Sequence, residues 1–296
     1  MNKKTLKADI LLLFTSAIWG FAFVAQRTGM EFVGPFTYNA IRFLIGSFSL
    51  IPLIVIFKNK NEKHSKNKPK SIILLSGIAG TCLFMAVSLQ QMGLLHTTAG
   101  NSGFITGLYV VLTPIFGIFL GRKTGIPTWI GATFTLIGLF FLSVADYTNS
   151  INIGDILTAI SAIFWAFHVL IIDRIVHKVD SLMLSCGQFL WCSFFSFIVV
   201  FFKETISLAP IMSAIIPILY GGFCSVGIAY TLQVIAQKTA PPAHATIIMC
   251  LEGVFAAIGG IIILSESLGT WTLLAFILMF CGMIATQWEV IKGKPT

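Results

Sequence analysis

Charge is scarce in this sequence. Charged residues fill 10% of its 296 positions, whereas a soluble domain carries roughly a quarter. A water-facing surface cannot be built from so few, so a soluble globular fold is excluded. Also missing is the glycine-rich run ending in Lys-Ser or Lys-Thr that cradles nucleotide phosphates, which argues against an ATP-driven pump. No set of His, Cys, Asp and Glu has metal-ligand spacing. The six cysteines, Cys82, Cys186, Cys192, Cys224, Cys250 and Cys281, form no C-x-x-C pair and stand inside apolar stretches. They read as small buried hydrophobes. Neither a metal nor a cofactor is expected.

What the chain has in excess is apolar length. Hydrophobic residues make up 56% of it, with 27 phenylalanines, and mean hydropathy is +0.93. Apolar runs of about 20 residues, each about 30 Å long as helix, recur ten times. Their bounds are 8–28, 36–57, 71–94, 98–120, 126–145, 154–174, 181–202, 211–234, 242–264 and 270–289. The expected fold is therefore an all-α membrane protein of ten transmembrane helices. The first run follows Lys3 and Lys4 as a signal peptide would. It is too long for one, contains Trp19 and Gln26, and lacks a small-residue cleavage site, so it reads as a retained helix.

The net charge of +8 is not a nucleic-acid signal, because the positions of the lysines give it another purpose. Six of them, Lys58, Lys60, Lys63, Lys66, Lys68 and Lys70, crowd the stretch between the second and third runs. With the N-terminus inside, 16 of the 19 basic residues fall on inner segments. Arg27 and Lys203 fall outside, and Arg42 lies within a span. Both termini are accordingly expected in the cytoplasm, and the chain in the plasma (cell inner) membrane. The partners expected are a small-molecule substrate and the lipid bilayer; a homo-oligomer is left open.

A shift of 146 residues lays the chain over itself. Asp9-Ile10-Leu11 falls on Asp155-Ile156-Leu157, Trp19 on Trp165, Phe43 on Phe189 and Ser47-Phe48 on Ser193-Phe194. Further on the register slips, so that Pro114-Ile115-Phe116 lies over Gly253-Val254-Phe255 and Gly138 over Gly282. Residues 1–145 and 146–296 thus form two five-helix repeats. Five is odd, so the second copy is expected upside down, an arrangement typical of alternating-access carriers.

These residues resemble the drug/metabolite transporter superfamily, EamA-type branch, over essentially the whole chain. Ala17-Ile18-Trp19-Gly20-Phe21-Ala22-Phe23-Val24 is similar to the family's W-G-x-x-F-V pattern, and Ile41-Arg42-Phe43-Leu44 to its R-F-L motif. The sixth span has Gly154-Asp155-Ile156-Leu157 and Phe164-Trp165-Ala166, and the eighth Ala229-Tyr230. Leu251-Glu252-Gly253-Val254-Phe255-Ala256-Ala257, then Ser265-Glu266-Ser267-Leu268, is the strongest block. Gly253 replaces the usual proline, and Gly121-Arg122-Lys123 stands where Gly-Glu is common. The resemblance implies a ten-helix bundle that exports or exchanges a metabolite, amino acid or drug-like solute.

A charge at the bilayer centre costs roughly 2.5–3.5 kcal/mol, so intramembrane polar residues need a reason. Glu252 lies ten residues past Pro242, about 15 Å into its helix. Either it is permanently paired with Arg42 or hydrogen-bonded to a backbone and locks its helix, or it faces a cavity and binds a cationic group or a proton. Arg42 reads as a structural fork holding carbonyls at a helix break. Polar stripes run along four spans: Thr98, Ser102, Thr106, Tyr109, Thr113; Tyr230, Gln233, Gln237; Ser16, Trp19, Phe23, Gln26; and Ser161, Trp165, His168. Single hydroxyls most often bond a neighbouring helix. Whole stripes on repeat-related helices point to a wet cavity. Its expected lining is Trp19, Ser102, Tyr109, Trp165, His168, Tyr230 and Glu252. Pro114 and Gly253 are the expected hinge positions. Two rivals stand beside the carrier. One is a rhomboid-like intramembrane serine protease, since Gly100-Asn101-Ser102-Gly103 matches G-x-S-G and His168 could serve as base. The other is a passive channel.

Overall fold

The computed structural model describes residues 3–61, 69–97, 99–144, 153–264 and 271–291, and all their regular structure is helical. The expected boundary between the repeats, most of the lysine-rich stretch, Thr98, Ser265 to Leu268, Lys292 and Lys294 lie outside the described residues. In chain order the helices begin with α1 (Lys3–Gly29), α2 (Pro35–Asn61) and α3 (Pro69–Leu94). Next come α4 (Ala99–Thr106), α5 (Tyr109–Phe119) and α6 (Ile126–Val144). The second half opens with α7 (Ile153–Ile175) and α8 (Ser181–Lys203), followed by α9 (Leu208–Ser213) and α10 (Ile215–Leu219). A π-helical segment (Tyr220–Tyr230) leads into α11 (Thr231–Ala236), and α12 (Pro242–Met249), α13 (Glu252–Leu264) and α14 (Thr272–Ile291) follow. Among the described residues, seven helices or helix runs are long and apolar enough to cross a membrane, and Tyr109–Phe119, Ile126–Phe141 and Leu273–Ala285 are shorter apolar helices. The outward faces carry large apolar side chains in place of charges: Phe119, Ile126, Phe201 and Ile216 are each more than three-quarters exposed. Only lipid makes such a surface stable.

Several boundaries differ from those read off the sequence. The loop expected at 58–70 is narrower, because α2 runs on to Asn61 and α3 starts at Pro69. The expected helix 211–234 is interrupted by a turn at Ala214 and is π-helical over Tyr220–Tyr230, and two other expected single helices are each broken in two. The first break falls at Gly107–Leu108, one to two turns ahead of Pro114. Proline has no N–H to give the carbonyl of Val110, and its ring crowds that carbonyl. The strain relaxes upstream, where Leu108 N bonds Ile105 O and Val110 N bonds Gly107 O in tight i→i+3 contacts. The second break falls at Cys250–Leu251, 143 residues on, with Leu251 N on Ile248 O and Gly253 N on Cys250 O. Its structural counterpart is therefore Val110, and Pro114 is displaced from Gly253 by one turn. The six cysteines are free; Cys82, Cys192 and Cys250 are buried as expected, whereas Cys186 and Cys224 are half-buried and Cys281 is exposed on α14.

The halves touch through equivalent residues. Ser47 Oγ donates to the carbonyl of Cys186 (3.1 Å), and Ser193 Oγ donates to that of Ala40 (2.8 Å). Both pairs are related by the same 146-residue shift, and the pairing is antiparallel along α2 and α8. The rings of Phe43 and Phe189 meet there with centroids 6.1 Å apart. At the α6–α14 crossing a Cβ on Gly138 would fall 2.8 Å from the carbonyl of Ala275. One on Gly282 would fall 2.7 Å from that of Gly131. Only glycine permits backbones that close.

The first turn of α2 is capped from across the bundle. Gly34, which precedes the helix, has no side chain to bond the free N–H groups. The carboxylate of Glu204, just past α8, accepts from Phe36 N (3.0 Å), Thr37 N (2.8 Å) and Thr37 Oγ1 (2.7 Å). The equivalent position in α8 is Asp180, which caps its own helix by accepting from Leu182 N and Met183 N. Glu204→Ala is expected to destabilise the protein by about 1–2 kcal/mol, read as a lowered thermal midpoint in detergent. An unchanged midpoint would mean that water caps α2 equally well.

Candidate functional site

The breaks of the two halves face each other at the centre of the bundle. Cys250 Sγ reaches the carbonyl of Gly107 (3.5 Å), and Tyr109 Oη donates to Glu252 Oε1 (3.4 Å). Both contacts join residues 143 apart, so each break meets its own counterpart. Gly103 lies against Gly253, where an added Cβ would stand 3.9 Å from Gly253 Cα. Tyr109 and Glu252 are each the first residue of a half-helix, α5 and α13. A carboxylate at a helix N-terminus meets the positive end of the macrodipole.

Around this point lies a cavity lined by Trp19, Phe23, Gln26, Arg42, Gln90, Thr106, Tyr109, Trp165, Ser225, Tyr230, Gln233, Met249 and Glu252, among others. Its volume is about 30 Å³, room for one or two waters. Three aromatic rings close one side. Trp19 lies 4.6 Å from Tyr230 and 6.3 Å from its repeat partner Trp165, and Trp165 stacks on Tyr230 at 6.0 Å. Trp19 Nε1 donates to the carbonyl of Ser225 in the π-helical segment (3.3 Å), which fixes its ring against that segment. Two ionisable side chains share the cavity wall. Arg42 is 2% exposed and Glu252 6%. Arg42 Nε donates to Asn39 Oδ1 (2.9 Å), and its guanidinium carbon lies 5.0 Å from the Phe43 ring centroid and 5.4 Å from that of Tyr38. Among the described residues, Arg42 and Glu252 form no ion pair within 4.0 Å. No described group of three His, Cys, Asp or Glu could hold a metal ion.

Polar clasps bracket the cavity at either end. His244 Nε2, on α12, lies 2.8 Å from Asp9 Oδ1 on α1. Thr97 Oγ1, ahead of α4, donates to Asp155 Oδ1 on α7 (2.7 Å). Asp9 and Asp155 are repeat equivalents. Asp173, at the far end of α7 from Asp155, pairs with Arg122. Eighteen residues of helix separate the two aspartates, about 27 Å.

The model of the EamA-like transporter family matches the chain twice, over residues 6–144 and 152–287. The chain belongs to that family. An uncharacterized transporter of Archaeoglobus fulgidus is 30% identical over 276 residues, 90% of this chain and 80% of that protein. The uncharacterized inner membrane transporter YedA of Escherichia coli is 25% identical over 289 residues, 94% and 90% respectively. A solved structure described only as the crystal structure of a protein shares the fold, with a TM-score of 0.78 at 18% identity, covering 97% of this chain and 99% of that one. This EamA-type chain is a multi-pass membrane protein and a membrane transporter.

Of the residues named from sequence, this EamA-type transporter brings Trp19, Tyr109, Trp165, Tyr230 and Glu252 to one cavity. It does not bring Ser102 or His168 there. His168 is fully buried behind Trp165 and Tyr230, edge-on to both rings, with Nε2 2.9 Å from Gln188 Oε1. Ser102 is fully buried, and its hydroxyl has no described partner. The Ser–His pair that a protease needs is not formed. Arg42 sits in an unbroken helix and on the cavity wall, not at a helix break. The permanent Arg42–Glu252 pair is likewise absent. Gln90, whose Nε2 donates to Thr106 (2.9 Å), was missed. The signal was available, since the amides Gln90 and Gln91 stand together inside an apolar span.

Proposed function

We propose that this chain is a secondary carrier that moves a small organic solute by alternating access, as an exporter or exchanger. In this reading the seven long spans, the broken α4–α5 unit, α6 and α14 make ten crossings. They form two inverted five-helix repeats, with both termini in the cytoplasm and the chain in the cell inner membrane. Support for the inversion comes from the antiparallel meeting of equivalent residues in α2 and α8. The cytoplasmic placement of the termini rests on the lysine count alone.

The observation that carries the proposal is the meeting of two broken helices at a buried carboxylate. Unwound backbone and half-helix ends at mid-bilayer are tolerated where they line a binding cavity. Glu252 and Arg42 face that cavity without pairing, so one can meet an ammonium group and the other a carboxylate. Trp19, Trp165 and Tyr230 add an apolar wall. A zwitterion with an apolar or aromatic body, such as an amino acid, fits this set. The cavity of about 30 Å³ is too small for it, so the conformation is one closed over its centre. Loading requires the helices to part at one clasp or the other, Asp9–His244 or Thr97–Asp155.

Accessibility tests the alternation. In a cysteine-depleted background, Ala22→Cys places a thiol on the cavity wall. A membrane-impermeant maleimide applied to either face of the membrane is expected to label it, each face in a distinct fraction of molecules. Labelling from one face alone, under every solute condition, would sink the proposal. Ser102→Ala is expected to leave transport within about twofold of the parent, since its hydroxyl is off the cavity. A large loss of transport in that variant would reopen the hydrolytic reading.

A further inference from the structure

A second cavity, of about 290 Å³, opens at the end of the bundle that carries Arg122. Its wall comes from both halves: Thr113 and Pro114 of α5, Arg122 to Thr124 of the link to α6, Leu170 of α7, and His244 of α12. Two wall residues hold polar atoms that nothing described satisfies. Thr113 is fully buried and its Oγ1 has no partner. His244 is 4% exposed; Nε2 is taken by Asp9, and Nδ1 has no partner. A buried donor or acceptor left without a partner forfeits its hydration for nothing in return. Two of them in one cavity mark a place for an occupant that supplies the bonds.

The character of the wall says what that occupant offers. Arg122 has an exposed side chain, and a single nitrogen of its five-donor fork is described as bonded, to Asp173. Lys123 forms no ion pair among the described residues. The two carboxylates nearby, Asp9 and Asp173, are each engaged, by His244 and by Arg122. Guanidinium, ammonium, imidazole and hydroxyl groups are left to donate. Anionic oxygens answer all four.

We propose that this cavity is a binding site for an anionic group, a carboxylate or a phosphate, held by His244 and Thr113 with Arg122 and Lys123 at its mouth. Thr113 lies four residues, about 6 Å, along the helix from Tyr109 of the central cavity. A solute held here by its acidic group stands one helical turn from that cavity. That staging role rests on the carrier reading, but the existence of the site does not. The anionic oxygens can come from a soluble solute or from a lipid headgroup.

Ligand-detected NMR on the full chain in phosphatidylcholine nanodiscs, with succinate as probe, tests the site without any transport. Succinate is expected to bind saturably. Thr113→Val and His244→Asn should each weaken it about tenfold. Thr113→Val keeps the side-chain shape and leaves the Asp9 contact alone, so it reads the site even if His244→Asn fails to fold. Discs containing phosphatidylglycerol separate the sources. Displacement of succinate there assigns the site to a lipid phosphate, and retained binding assigns it to soluble anions; both sustain the proposal. Absence of saturable binding in the phosphatidylcholine discs, or affinity unchanged in Thr113→Val, overturns it.

Discussion

Proteoliposomes carrying Glu252→Gln are expected to exchange solute at least about thirtyfold more slowly than the parent, while the protein stays folded. Glutamine keeps the size of the side chain and still accepts the Tyr109 hydroxyl, which lies 3.4 Å from Oε1 in the parent. What it loses is the charge. In a water-poor cavity a desolvated ammonium–carboxylate contact contributes about 2–5 kcal/mol, and 2 kcal/mol is about thirtyfold. The same change should not disturb packing, because no described cation pairs with Glu252 in the closed form. Tyr109→Phe supplies the graded comparison. It removes one long hydrogen bond, keeps the charge, and should cost less than tenfold. Transport equal to the parent's in Glu252→Gln would make the carboxylate a helix-terminus residue with no part in binding.

Gly20→Val is expected to abolish the folded protein or leave it inactive in any detergent that sustains the parent. A Cβ at this position would lie 2.3 Å from Phe255 Cβ, 2.7 Å from Ala256 N and 2.7 Å from Glu252 O. Two of those atoms are backbone, so no rotamer change relieves the clash. α1 would have to withdraw from α13 and take the cavity wall at Trp19 with it. Overpacking in a tight core costs about 1–3 kcal/mol, and backbone contacts of this kind fall at the upper end. Gly103→Ala is the matched control. Among the described residues its Cβ would meet only Gly253 Cα, at 3.9 Å, and size-exclusion behaviour and activity should stay near those of the parent. Normal folding of Gly20→Val would show that the helices slide past each other more freely than their contact suggests.

Residues that repeat proved the most legible part of the sequence. Trp19 with Trp165 and Phe43 with Phe189 were paired by a shift of the chain on itself, and each pair meets ring to ring in space. Contact between equivalents is what a twofold relation between halves produces near its axis. Glu252 was legible for a different reason, the cost of a carboxylate at mid-bilayer. The misses share a cause as well. A helical stripe gives direction, not depth of neighbours, so His168 shared a face with Trp165 yet sits behind it, bonded to Gln188. Pro114 announced a disturbed helix, but where the strain relaxes depends on the backbone upstream, and the break settled at Gly107–Leu108. The cap on α2 was beyond reach, because Glu204 and Gly34 lie 170 positions apart and only the fold joins them.

Counterflow tests the central claim most directly. Proteoliposomes loaded with an unlabelled amino-acid mixture are exposed to trace radiolabelled amino acids outside, and the parent is compared with Glu252→Gln. Saturable, preload-dependent accumulation of at least one labelled amino acid in the parent, lost in Glu252→Gln, is the predicted result. Flux that is linear in concentration, indifferent to preloading and unchanged by Glu252→Gln would contradict the account and describe a channel instead.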